Sequence, residues 1–290
     1  MVRDFLSKMI WLAPTLALVF GATASAQGRG GGAGRSTLEN VVVHGKTLET
    51  NRQGDSPDRN VTVYLPPSYS SENARRFPVV YFLHDYGEHS DGLITAIKAA
   101  ADKLAALQGY SETIVVIPDA NTLQQGDMYS SSANAADWER FIAEDLVSYV
   151  DMHYRALAKP ISRGLAGHLM GGYGALRIGM KRTDVFSGVY AMSACCLTAR
   201  NSPMDAILEK YVENSRKQYG IAIDVGTNDP GLADNRRLHD ALVRLRIPHY
   251  YEEFEGAHSS RLSERLERNL LPFFSKNLAA PANPTSPGVQ

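Results

Sequence analysis

The chain has 290 residues, of which 44% are hydrophobic, so its length and composition allow one large domain with a sizeable buried core. Its 30 basic and 31 acidic side chains nearly cancel, and the sequence pI is near 6.7. This balance excludes a strongly basic protein, and it indicates neither a nucleic-acid partner nor attachment to an anionic membrane surface.

The first 26 residues have the pattern of a secretory signal peptide. Arg3 and Lys8 precede a short apolar run at residues 10–20, which is too short to span a bilayer. Small residues end the segment, and we predict cleavage near Ala26-Gln27. The mature chain is then expected to be secreted or periplasmic, with no membrane span. A short transmembrane anchor is the alternative.

The rest of the chain is predicted to contain one folded domain between two loose segments. Residues 27–58 are predicted to form a glycine-rich linker and an N-terminal segment, because residues 28–34 read GRGGGAG. Residues 59–277 are predicted to form the domain. Residues 278–290 are rich in Ala and Pro and are predicted to be a disordered tail.

Short apolar runs within the predicted domain indicate strands, and helical periodicity indicates helices between them. The strands are predicted at residues 61–65, 79–83, 113–117, 162–167, 188–193, 221–225 and 249–254. One-sided apolar patterns predict helices at residues 138–150, 173–181, 238–245 and 262–270. This alternation predicts an α/β fold with a mostly parallel central sheet flanked by helices.

Residues 167–172, GHLMGG, predict a sharp turn from a strand into a helix. They have the outline of a nucleophile elbow, G-x-S-x-G, in which small residues permit a tight turn and the central side chain stands clear of the sheet. Gly167 and Gly171 provide the small residues. Leu169 stands at the position of the serine. The hydroxyl group that this motif normally presents is therefore missing.

Several motifs, found in a fixed order, resemble an esterase family of α/β-hydrolases. This family includes S-formylglutathione hydrolases, bacterial feruloyl esterases and mycolyltransferases. The motifs are VYLPP at 63–67, FLH at 82–84, AGHLMGGYGAL at 166–176, GTND at 226–229 and GAH at 256–258. The resemblance covers residues 61–274. It implies an α/β-hydrolase fold, ester hydrolysis through an acyl-enzyme, a small-molecule ester or acyl ligand, and no cofactor.

In this family the catalytic residues occur in the order nucleophile, acid, histidine. Carried over to this chain, the resemblance implies Asp229 as the acid and His258 as the general base. Both follow predicted strands, so they are expected at the carboxyl edge of the sheet, where open α/β sheets bind ligands. Asp224 is the alternative acid, although its place within a strand favours a structural role.

The resemblance also implies an oxyanion hole made of two backbone N–H groups. One belongs to Met170, and the other is assigned to Tyr86 in the loop after the predicted strand at residues 79–83. The family usually reads His-Gly-x-Gly there, whereas residues 84–87 read HDYG. The aspartate tolerates positive φ better than most residues do. A carboxylate at Asp85 would oppose a developing oxyanion, unless it points to solvent.

Four further residues are candidates for a substrate pocket, either contacting the ligand or packing in the core: His84, His168, Tyr129 and Trp138. His84 and His89 alone are weak evidence for a metal site, and no metal is predicted.

Cys195 and Cys196, the only cysteines of the sequence, are adjacent. Neighbouring Cα atoms lie ~3.8 Å apart, below the ~4.4–6.8 Å that is usual for disulfides, so a bridge between them would be strained. Two interpretations remain open. The thiols are buried and inert, or one of them, or Ser193, replaces the missing nucleophile near His258.

Three hypotheses about function follow. In the first, the chain is a folded esterase relative that is catalytically impaired or dead because of Leu169, and is retained for binding. In the second, it is an active serine-type esterase family protein of which this copy carries a serine-to-leucine substitution. In the third, it hydrolyses esters with another nucleophile.

Overall fold

A computed structural model describes residues 34–49, 51–87, 91–123, 128–131, 136–198, 204–216 and 220–279. The predicted signal peptide lies outside the described residues, as do residues 280–290 of the predicted tail. In the part of the chain that is described, no helix is long and apolar enough to cross a membrane.

One eight-stranded sheet runs through the domain in the order β1-β2-β4-β3-β5-β6-β7-β8. The strands are β1 (Thr37–His44), β2 (Asp58–Leu65), β3 (Val79–Leu83), β4 (Ile114–Pro118), β5 (Arg163–His168), β6 (Gly188–Met192), β7 (Gly220–Gly226) and β8 (Tyr250–Phe254). The pairs β1/β2 and β2/β4 are antiparallel, and all the other pairs are parallel. The predicted mostly parallel α/β sheet is confirmed.

Helices cover both faces of this sheet. The α-helices are α1 (Pro67–Ser71), α2 (Asp91–Ala105), α3 (Trp138–Arg140), α4 (Val147–His153), α5 (Met170–Lys181), α6 (Met204–Arg216), α7 (Leu232–Arg244), α8 (Leu262–Arg265) and α9 (Leu271–Asn277). A π-helical segment, Phe141–Leu146, joins α3 to α4, and another, Leu266–Leu270, joins α8 to α9. Short 3₁₀ helices occupy Lys46–Leu48 and Pro160–Ser162.

The strand β3 shows why the sheet is covered on both sides. Every residue of its sequence VVYFL is buried. Val79 and Leu83 belong to one apolar core cluster, whereas Val80 and Phe82 belong to the other. Successive side chains of a strand point to opposite faces, so a continuous apolar run requires apolar partners on both.

Several elements, among them β1 and the helices α1, α2 and α6, extend beyond the sequence-based prediction. The strand β1 lies within the predicted N-terminal segment, and β2 begins at Asp58, so the predicted domain boundary at residue 59 falls inside a strand. Most of β1 is exposed at the edge of the sheet, and its sequence TLENVVVH therefore lacks a long apolar run. Helix α2, with the buried face formed by Leu93 and Ile97, is likewise additional to the predicted helices.

The turn between β5 and α5 requires glycine because backbones meet there. A Cβ atom added to Gly171 would lie 1.9 Å from the carbonyl oxygen of Leu83 at the end of β3. A Cβ atom on Gly167 would lie 2.1 Å from the Gly171 carbonyl oxygen. Backbone atoms cannot rotate away as a flexible side chain can. The start of α5 is therefore packed directly against the end of β3.

Gly171→Ala should destabilise the protein, although alanine is favoured over glycine in a helix by about 1 kcal/mol. The clash with the Leu83 carbonyl should outweigh that gain and lower the free energy of unfolding by about 1–3 kcal/mol or more. Urea denaturation measures this change. Gly188→Ala is the matched control, since its Cβ would meet Phe274 at an ordinary 3.4 Å. Equal stability of the two variants would contradict the close packing.

Candidate active site

Leu169 occupies the turn between β5 and α5 in a backbone conformation that leucine rarely adopts. Its φ is 50° and its ψ is −108°. Its N–H donates to the Met192 carbonyl oxygen at 3.0 Å, and its own carbonyl accepts from the N–H groups of Tyr173 and Cys195 at 3.0 and 3.2 Å. Such backbone strain costs about 1–3 kcal/mol and persists only where the surroundings enforce it. The turn thus has elbow geometry with a half-buried leucine at its centre.

The predicted oxyanion donor Met170 already has an anionic partner. Its N–H donates to the Asp85 carboxylate oxygen Oδ1 at 3.1 Å. Asp85 is half-buried, and one oxygen of its carboxylate faces Met170 rather than solvent. Positive φ occurs at Gly87, at 64°, rather than at Asp85. A carboxylate at the N-terminus of α5 is stabilised by the free N–H groups and the dipole of the helix.

Tyr86, which follows Asp85, directs its side chain outward. The side chain is 42% exposed, and its hydroxyl donates to the Met128 sulfur at 2.8 Å. Its backbone N–H as the second oxyanion donor stays a prediction.

The loops that carry Asp229 and His258 lie side by side at the carboxyl edge of the sheet. The Asn228 N–H donates to the Gly256 carbonyl oxygen at 2.8 Å. A Cβ atom on Gly226 would lie 2.2 Å from that same oxygen, so the glycine permits the close approach. The fold therefore brings the predicted acid and the predicted base onto neighbouring loops.

Asp229 is only partly engaged by its surroundings. Its Oδ1 accepts from the Gly231 N–H at 2.7 Å. Its Oδ2 is buried, and no hydrogen-bond donor contacts it among the residues that the structure describes. His258 is half-buried, and the hydrogen bonds that it forms within the described residues use its backbone carbonyl. A working triad would require the imidazole N–H to donate to this free carboxylate oxygen.

A buried ion pair holds the backbone of the His258 loop. The Arg265 guanidinium lies 2.5 Å from Asp224, and the two side chains are 2% and 0% exposed. Arg265 also donates to the His258 carbonyl oxygen at 2.7 Å. The imidazole of His168 lies 3.0 Å from that oxygen. Sequence reasoning missed Arg265, because an arginine within an amphipathic helix is usually a surface residue.

Asp224, the alternative acid, is occupied by this same network. Besides Arg265, it accepts from the Tyr190 hydroxyl at 2.9 Å. Burial and the nearby Asp224 carboxylate raise the pKa of Tyr190 well above its ordinary value, so the hydroxyl stays a donor. The structural role favoured for Asp224 matches these contacts.

The four candidate pocket residues lie in the protein interior. Their exposed fractions are 0% for His84 and Trp138 and 1% for His168 and Tyr129. They pack in the interior, which is one of the two predicted alternatives, and their contact with a substrate stays a prediction.

His84 and Tyr129 support the loop that carries Asp85. The His84 ring accepts from the Ala120 N–H through Nε2 at 2.8 Å, so Nδ1 is the nitrogen that donates to the Asp85 carbonyl, at 2.6 Å. The Tyr129 hydroxyl donates to the His84 carbonyl oxygen at 3.0 Å. The buried side chains of His84 and Tyr129 thus fix the backbone of residues 84 and 85, and with it the position of the Asp85 side chain.

Of the possible replacement nucleophiles, Ser193 already has a buried partner. It is 1% exposed, and its hydroxyl oxygen accepts from Arg265 at 3.1 Å. Cys195 is half-buried and Cys196 is exposed, and both are free thiols. His89 lies outside the described residues, within which no group of three or more His, Cys, Asp or Glu side chains is placed to hold a metal ion.

A family model described as "Putative esterase" matches residues 56–262. The chain belongs to this esterase family. Among curated proteins, "Esterase Rv1288" of Mycobacterium tuberculosis is 29% identical over 147 residues, which make up 50% of this chain and 31% of that protein. The chain thus spans less than a third of the length of this relative.

Solved structures of esterases share the fold. A ferulic acid esterase superposes with a TM-score of 0.71 at 22% identity, covering 84% of this chain and 98% of the other. An S-formylglutathione hydrolase from Staphylococcus aureus gives 0.66 at 18% identity, with 83% and 99% covered. A ferulic acid esterase from Anaeromyces mucronatus, in complex with ferulic acid, gives 0.62 at 20% identity, with 85% and 94% covered. The α/β-hydrolase fold predicted from the motifs is confirmed.

Arg265→Met should strongly destabilise the protein, because it leaves the buried Asp224 carboxylate without its partner. Removing one member of a buried ion pair costs about 3–5 kcal/mol. Arg268→Met is the matched control: this arginine is 72% exposed and pairs with Glu264 at the surface. An exposed pair contributes about 1 kcal/mol or less. Urea denaturation of both variants measures the difference, and similar losses would contradict the role given to Arg265.

Proposed function

We propose that the chain is an exported α/β-hydrolase of carboxylic-ester hydrolase lineage that is catalytically impaired or dead. Leu169 is the observation that carries the proposal, because this leucine stands at the centre of an elbow with φ of 50°. Export follows from the predicted signal peptide, with the mature chain secreted or periplasmic. The ligand class is a small-molecule ester or acyl compound, as the family suggests.

Leucine removes the first chemical step. It has no oxygen to attack an ester carbonyl and no proton for His258 to accept. Loss of the nucleophile from a serine hydrolase lowers kcat on the order of 10⁶-fold. The activity that survives such a loss, ~10³–10⁴-fold over water, depends on the oxyanion hole and on substrate binding.

The Asp85 carboxylate removes much of that residual activity as well. It accepts the Met170 N–H, which is the predicted donor to a developing oxyanion. A second negative charge near the same donor is repelled, and the repulsion is strongest where water is excluded. A substrate carbonyl oxygen would first have to displace the carboxylate. Leu169 therefore prevents nucleophilic attack on the ester, and Asp85 opposes stabilisation of the oxyanion that such an attack would form.

Asp229 and His258 are proposed to be the retained acid and base of the lineage. Their loops are held together by the Asn228–Gly256 hydrogen bond, and Asp229 keeps a carboxylate oxygen for the imidazole. A serine introduced at residue 169 would thus meet the rest of a triad.

The alternatives are an active serine-type family in which this copy carries a leucine, and hydrolysis with another nucleophile. Among the candidates for that role, the Ser193 hydroxyl is engaged by buried Arg265, which opposes its use. The kinetic comparison below separates the alternatives.

Leu169→Ser should create p-nitrophenyl acetate hydrolysis in the purified mature chain, and Leu169→Ser combined with Asp85→Gly should create more. The double variant restores both the nucleophile and an open Met170 N–H, so we expect a gain on the order of 10³-fold or more over the original chain. Asp85→Gly alone should stay near the uncatalysed rate, since it adds no nucleophile. Initial rates at saturating ester measure these differences.

A matched control tests the base. His258→Ala, added to the double variant, should abolish most of its gain while leaving its circular dichroism spectrum unchanged. Activity of the original chain equal to that of the double variant would contradict impairment and require another nucleophile. A folded double variant without activity would contradict the retention of Asp229 and His258 as working partners.

A further inference from the structure

Two thiols lie in contact beside the elbow. The sulfur atoms of Cys195 and Cys196 are 2.9 Å apart. Cys196 is exposed to solvent, whereas Cys195 is half-buried, and both are free. They are the only cysteines in the sequence, so neither has another thiol in the chain with which to form a disulfide.

The loop that carries the thiols is fixed by hydrogen bonds on both sides. From its own backbone, the Ser193 N–H donates to the Asp224 carbonyl at 2.7 Å, and the Cys195 N–H donates to the Leu169 carbonyl at 3.2 Å. Two contacts tie the loop to α7: the Asn235 amide donates to the Ala194 carbonyl at 2.8 Å, and the Thr198 hydroxyl donates to Asp234 at 3.0 Å. Cys196 itself has a positive φ of 60°. The backbone that carries the two thiols is therefore held in place.

We propose that Cys195 and Cys196 form a dithiol modification site that reacts with small-molecule disulfides, such as oxidised glutathione, and closes to a disulfide between adjacent residues. This proposal does not depend on the proposed hydrolase function, because the side chains of Leu169, Asp229 and His258 take no part in the reaction of the thiols.

The two thiols have different roles because their surroundings differ. The hydrogen bond from Cys195 lowers the pKa of Cys196, while the same hydrogen bond and burial raise the pKa of Cys195. The thiolate is the reactive form of cysteine, and it must also be accessible. Cys196 meets both conditions, so it attacks first and Cys195 is the resolving thiol.

The exchange is balanced with the external disulfide as the oxidant. The Cys196 thiolate attacks one sulfur of the disulfide RSSR, a mixed disulfide forms, and RS⁻ leaves and takes up the proton that Cys196 released. Cys195 then loses its proton and attacks the Cys196 sulfur, and the second RS⁻ leaves and is protonated. The two protein thiols are oxidised by two electrons, and RSSR is reduced to two RSH.

The closed form should be reversible. The Cα atoms of adjacent residues lie ~3.8 Å apart, closer than the ~4.4 Å at which ordinary disulfides begin, so the ring is strained. Strained or exposed disulfides are the easily reduced ones, in contrast to structural bridges. The site is therefore a modification site that a mild reductant resets.

The test is intact mass spectrometry of the full chain after incubation with oxidised glutathione. Each original chain should lose the mass of two hydrogen atoms, form no disulfide with another chain, and regain both thiols in dithiothreitol. Cys195→Ser should stop at a stable glutathione adduct on Cys196, because the resolving thiol is gone. Cys196→Ser should react about 10-fold or more slowly, since its remaining thiol is half-buried.

The result for the original chain alone decides ring closure, even if a serine variant fails to fold. Unchanged thiols, a lasting glutathione adduct, or a disulfide between two chains would each overturn the proposal. Faster reaction of Cys196→Ser than of Cys195→Ser would overturn the order of attack.

Discussion

The tight turn between β5 and α5 is the constraint on which the site depends. Gly171 approaches the carbonyl of Leu83 so closely that no side chain fits between them. This packing places the N-terminus of α5 beside the loop that follows β3, and it holds Leu169 at positive φ. The elbow thus persists without a serine, since backbone packing rather than the central side chain maintains it.

The backbone N–H group of Met170 at this elbow already has a negatively charged partner in the resting protein. In an acyl-transfer enzyme, the N–H groups at a helix N-terminus wait for an oxyanion that exists only during the reaction. Here the Met170 N–H donates to the Asp85 carboxylate, whose backbone is fixed by buried His84. Catalysis requires complementarity to the transition state, whereas this site is complementary to an anion of its own chain.

The sequence predicted the parts of the fold that produce strong local patterns. The continuous apolar run of β3 predicts a buried strand, and the glycines around Leu169 predict a tight turn because they lie between a predicted strand and a predicted helix. The exposed edge strand β1 gives a weak pattern and was missed. The direction of the Asp85 carboxylate and the burial of Arg265 depend on partners distant in sequence, Met170 and Asp224, which periodicity does not reveal. For Tyr129 and Trp138 the sequence left two alternatives open, contact with a ligand or packing in the core, because an aromatic residue suits both.

The proposed loss of an activated nucleophile is tested most directly by a fluorophosphonate, which reacts covalently with the activated serine of a serine hydrolase. Intact mass spectrometry of the original chain after incubation should show no adduct, because neither Leu169 nor the buried, hydrogen-bonded Ser193 offers an activated hydroxyl. The Leu169→Ser chain serves as the reactive reference. A stoichiometric adduct on any residue of the original chain would contradict the loss of nucleophilic catalysis.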